Sequence, residues 1–176
     1  MATHTLSQQQ AKLTGFVDFL PALHAVPAGK AKEIYEKNKH RVYSLAFWMT
    51  DNELEAEELC ANVFGRAFWA ANEPSLEMID RALVNELRAS RPIGTLTLSC
   101  TEVKEVCQIR VNTKRVHLER AVVQLPVTER LIFLLHDVVQ HDHASITRLL
   151  GLSEYESCHG LHQARLRMRE LLAAMI

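Results

Sequence analysis

This chain has no surplus of charge of either sign. Its 176 residues carry 20 Lys plus Arg against 21 Asp plus Glu, a formal net charge of −1 with the histidines neutral. A protein that grips nucleic acid through phosphates usually shows a basic surplus or a basic face, so a DNA role here must rest on local patches or on a partner. Cysteine is scarce and unpaired in sequence. Cys60, Cys100, Cys107 and Cys158 form no CxxC pair, a pattern suited to free thiols in a reducing cytoplasm. No apolar run approaches the ~20 residues that a spanning helix needs. The start, MATHTLSQQQ, has neither the charged nor the apolar segment of a signal peptide. These absences lead to the expectation of a soluble cytoplasmic protein with no membrane contact.

What the chain does have is helical periodicity. From Ala31 to Met49 apolar residues recur at Ile34, Val42, Leu45 and Met49. After the polar break TDNE, the residues Ala56, Leu59, Val63, Ala67 and Ala70 form one face. Pro74 and Ser75 open a third helix, with Leu76, Ile79, Leu83 and Leu87 at steps of three and four. The stretch RPIGTLTLSCTEVKEVCQIRVNTK has no helical period. Its TLTLSC alternates like a strand, but a lone strand has no partner, so it reads as a linker. Helices resume at Arg115–Gln124, from Pro126 to about Val139, at Asp142–Leu150 and at Glu154–Met175. Leu161, Ala164, Met168, Leu171 and Met175 line the last of these. The expected fold is all-α: two small helical bundles joined by a flexible linker. Residues 1–30 are an N-terminal extension, in which TGFVDFLPALH is a short helix interrupted by prolines. Residues 31–90 form a three-helix unit, 91–114 the linker, and 115–176 the second helical unit.

The stretch ITRLLGLSEYESCHGLHQARLRMRELL has the cadence of a helix-turn-helix. A short helix ends at Gly151, and a longer one starts at Ser153, where SEYE forms a capping box. A DNA-reading helix presents its N-terminal half to the groove, yet here that half reads SCHG.

Two segments together resemble bacterial sigma factors of the extracytoplasmic-function group. IYEKNKHRVYSLAFWMTDNELEAEELCANVFGRAFW is similar to their region two, and LPVTERLIFLLHDVVQHDHASITRLLGLSEYESCHGLHQARLRMRELL to their region four. They stand in the family's order and cover about half of the chain. The resemblance implies a non-catalytic, cofactor-free protein that binds core RNA polymerase and directs it to promoter DNA, with an anti-sigma factor as a third candidate partner. It also implies roles for particular residues. The acidic helix after DNELEAEE would dock on polymerase through Glu55, Glu57, Glu58 and Asn62, with Ala56, Leu59 and Val63 in the core; Glu replaces the family's usual Asp at 55 and 58, and Ala61 its Gln. The third helix would read the melted promoter element with Arg81, Arg88 and Arg91. Glu77, Asp80 and Glu86 offset those cations, and a salt-bridged surface helix is the competing reading. In the last helix Cys158, Gly160 and Gln163 fall where the family carries a Lys and two Arg, and Ser157 replaces a buried Val. His159, His162, Gln163, Arg165 and Arg167 remain as the DNA-facing candidates. The alternative function is a sigma-fold regulator or adapter with weakened DNA readout.

Other chemistry is poorly supported. His136, His141, His143, His159 and His162 with Cys158 invite a zinc reading, but no familiar ligand spacing is present. Cys158 has no evident base–carboxylate partner for nucleophilic work. Trp48 and Trp69 read as core residues rather than as platforms for bases.

Overall fold

The computed structural model describes residues 28–98 and 114–175. The helix expected in TGFVDFLPALH and the later part of the linker lie outside the described residues, which contain seven helices and no strand. Helix α1 spans Ala28–Thr50. It ends where Asp51 turns into the left-handed region at φ 55°, and Asn52 then caps α2, Glu53–Ala70, by accepting the N–H groups of Leu54 at 2.9 Å and Glu55 at 3.2 Å. Ser75 caps α3, Leu76–Ser90, through Met78 N at 3.3 Å. Beyond the linker come α4, Arg115–Val123, and α5, Val127–Phe133. Helix α5 runs on into a π-helical turn, Leu134–Val138, before α6, His143–Leu150, and α7, Glu154–Ala174. No helix among the described residues is long and apolar enough to cross a membrane.

The expected faces are largely the buried ones. Val42, Leu45 and Met49 of α1 are buried in one cluster with Ala56, Val63 and Phe64 of α2 and Ile79, Leu83 and Leu87 of α3. Each large side chain so buried contributes about 1.5–3 kcal/mol. Two positions at helix ends depart from this: Ala70 and Leu76 are exposed. Trp69 departs further. It is 82% exposed, because Phe68 already fills the inward position and the next residue lies about 100° further round the helix. Trp48 is half-buried against the core, as expected.

The buried residues of both halves form one contiguous apolar core. Helix α1 touches α4 and α5, and α3 touches α6. Polar links reinforce this seam. Asp80 of α3 is fully buried; it binds Arg41 of α1 on one side and His141, at 2.9 Å, on the other. The Arg88 guanidinium donates to the carbonyl of Leu150 at the end of α6. Arg130 of α5 donates to the carbonyls of Leu125 in its own half and of Trp48 and Met49, each at 3.4 Å, where α1 leaves carbonyls without helical partners. Burial is the largest influence on this guanidinium, and with nearby Arg91 it lowers its pKa.

The linker also differs from expectation in its first part. Residues 92–98 are docked on the second half. Gly94 N donates to Thr128 Oγ1 at 3.2 Å. The buried Glu129 carboxylate accepts the backbone N–H groups of Thr97 at 2.5 Å and Leu98 at 2.7 Å. Thr and Pro composition signals irregular backbone, but it does not reveal that a buried carboxylate waits to bind it.

Candidate nucleic-acid interface

Helix α2 presents Glu57, Glu58 and Asn62 to solvent, while Ala56, Leu59 and Val63 face inward. Glu58 and Asn62 are four residues apart and so share a face. Glu55 stands apart from them. It is half-buried, and its carboxylate accepts Arg91 Nη2 at 2.6 Å. Behind this face, burial and the neighbouring Glu57 push the Cys60 thiol up to about 12, which leaves it inert as a nucleophile.

The three cations expected to act from α3 are each engaged within the chain. Arg81 is exposed and pairs with Glu77 one turn back at 3.0 Å. Arg88 is spent on the Leu150 carbonyl, and Arg91 on Glu55.

The α6–α7 corner forms as the sequence implies. Gly151 at φ 66° closes α6 in the left-handed region, with its N–H on Thr147 O at 2.8 Å. Ser153 and Glu156 cap α7 reciprocally: Glu156 N donates to Ser153 Oγ at 3.2 Å, and Ser153 N to Glu156 Oε2 at 2.7 Å. These bonds hold the Glu156 carboxyl below its ordinary range. Asp142 caps α6 by accepting Ser145 N at 2.8 Å, and its carboxyl is lowered for the same reason.

Two positions in α7 differ from the groove-facing placement. Gly160 lies on the buried face, and a Cβ there would come within 2.7 Å of Ile132 Cδ1 and 2.8 Å of Leu96 Cδ2. Gln163 is 4% exposed, so in this arrangement its side chain is withdrawn from DNA. Their phase on the helix, shared with Leu161 and Ala164, turns them inward. Cys158 and His162 do share an exposed face, as their spacing implies, and His159 is half-buried. Tyr155, 77% exposed, stacks on His159 with ring centroids 5.9 Å apart. Arg167 is exposed and bonded to Glu170 at 2.9 Å.

A polar network that sequence reasoning missed runs behind this face. Ser157 is fully buried, and its Oγ lies 2.9 Å from His143 Nδ1. The His143 ring packs on His136 at 4.9 Å, and His136 Nδ1 lies 2.8 Å from Asp137. Arg165 grips the same carboxylate with two hydrogen bonds, at 3.0 and 2.6 Å. Burial alone would raise the Asp137 pKa, but the bonds from Arg165 and His136 outweigh it and lower it, while Arg165 is raised in return. The signal was available: a polar Ser at an inward position needs a partner, and histidines crowd HDVVQHDH. No three His, Cys, Asp or Glu side chains among the described residues gather to hold a metal ion.

No protein-family model matches the chain, and a search of curated proteins finds no relative. Fold and surface together define an all-helical chain with a solvent-facing acidic helix and a C-terminal helix pair joined at a left-handed glycine.

Proposed function

We propose that this chain is an RNA polymerase sigma factor of the extracytoplasmic-function type, binding core polymerase and directing initiation at specific promoters in the cytoplasm, without catalysis of its own. The observation that carries the reading is the α2 surface. Glu57, Glu58 and Asn62 project from a well-capped helix whose opposite side is core, the disposition that the sequence resemblance requires for polymerase docking. The test is charge reversal. Glu57→Lys with Glu58→Lys weakens capture by bacterial core polymerase by on the order of tenfold, since interfacial charges steer and register partners. Helicity stays unchanged, because solvated charges add little to stability. Equal capture of native and reversed chains counts against it.

A second reading, a sigma-fold regulator or adapter with weak DNA grip, draws support from α7. Its first turn carries Glu154 and Glu156, Gln163 is buried, and Arg165 is neutralised by Asp137. Promoter DNA is then a partner held weakly by the chain alone. Transcription from a cognate promoter separates the two readings.

A further inference from the structure

Three consecutive residues at the start of α5 seize segments far from them in sequence. Thr128 receives the N–H of Gly94, the buried Glu129 receives those of Thr97 and Leu98, and Arg130 caps the carbonyl end of α1. The second carboxylate oxygen of Glu129 is buried and meets no hydrogen-bonding partner among the described residues. A buried carboxylate oxygen without a partner is costly. Leu96, between the captured amides, lies against Gly160, where a Cβ would come within 2.8 Å of its Cδ2. The segment 92–98 therefore has a seat shaped for it, built from a notch, a hydroxyl and a carboxylate.

This seat lies on the half that the seam draws against α3. Where the segment is bound, α6 lies on α3, Arg88 is spent on Leu150 O, and His141 holds Asp80. The polar links that keep α6 on α3, Arg88 to Leu150 O and Asp80 to His141, reinforce the apolar core shared by the two halves. We propose that residues 92–98 are an autoinhibitory clasp: seated at Gly160 and Glu129, they hold the C-terminal helices on α3 and withhold Arg88 from single-stranded DNA. The clasp rests on the sigma-type reading for the identity of the withheld ligand. The exposed polymerase-docking residues of α2 remain available in the closed chain, so polymerase binding and DNA binding are controlled separately.

The test uses the full chain and two release variants, Leu96→Asp with His141→Ala, and Thr97→Pro with His141→Ala. Leu96 is half-buried and packs on the core, whereas Thr97 is exposed, so the second pair guards against a folding defect in the first. Three quantities are read: amide exchange at Leu98, the radius of gyration by X-ray scattering, and anisotropy of a short fluorescein-labelled single-stranded DNA of mixed sequence. The account expects faster exchange, a larger radius and tighter DNA binding. If the open form is about a tenth of the native population, release tightens apparent binding by up to about tenfold. Expansion without tighter DNA binding, while polymerase capture persists, overturns the clasp and leaves the functional reading standing. An unchanged radius and exchange rate in both variants overturns the clasp as well. Failure of native and released chains alike to capture core polymerase overturns the functional reading, and with it the identity of the withheld ligand.

Discussion

At the scale of single residues, Gly160 and Arg130 have the sharpest consequences. In an isolated helix Gly160 costs roughly 1 kcal/mol relative to Ala, so its replacement looks favourable. Its surroundings reverse that. Ile132 is fully buried, and a side chain at 160 must push it and Leu96 aside; overpacking of this kind costs about 1–3 kcal/mol. Gly160→Arg therefore lowers the denaturant midpoint of the chain, even though it places a cation where the sigma-factor helices that the sequence resembles carry one. A midpoint unchanged or raised contradicts the packing described here. Arg130 reaches carbonyls of two separate segments, Leu125 and Trp48–Met49, which a planar guanidinium does and an ammonium does not. Arg130→Lys is thus not conservative. It loses about 1–3 kcal/mol of stability as carbonyls go unsatisfied, measured by urea unfolding, whereas exposed Arg81→Lys leaves the midpoint in place.

Among the elements, the α6–α7 corner carries the clearest pH dependence. The Asp137, Asp142 and Glu156 carboxyls are all held below their ordinary values of 3.8, 3.8 and 4.5. A depressed carboxyl stabilises the fold fully above its unfolded pKa and loses that contribution as pH falls through the folded one. The thermal midpoint accordingly drops as pH falls from about 5 toward about 2. In Asp137→Asn the drop is smaller and the starting midpoint lower, since Arg165 and His136 lose their common acceptor. An identical pH profile for both chains contradicts the assignment. The helices themselves were legible in the sequence, because apolar steps of three and four and the caps Asn52, Ser75, Asp142 and Ser153 are local signals. The network behind α7 was less so. Ser157 and the histidines are visible in sequence, but which ring meets which hydroxyl depends on the π-helical turn at Leu134–Val138, which shifts everything after it.

Over the whole molecule, what escaped the sequence is the seam. Asp80 and His141 lie 61 residues apart, and nothing periodic marks either as the other's partner. The candidate surfaces were only partly legible for the same reason. Glu57, Glu58 and Asn62 project as the helical phase of α2 dictates, whereas Arg88 and Arg91 are diverted by Leu150 and Glu55 from other elements, and Gln163 turns inward with α7. Trp69 escaped for the opposite reason: an apolar residue suggested core, and the helix had already filled it. The central claim remains the association with polymerase, and transcription reconstituted from purified components tests it most directly. Bacterial core RNA polymerase is mixed with the full chain and a promoter library, and transcripts are sequenced. The account predicts initiation from a restricted set of start sites that vanishes without the chain and is strongly reduced by Glu57→Lys with Glu58→Lys. Core polymerase that neither retains the native or clasp-released chain nor changes its start sites in its presence contradicts the account.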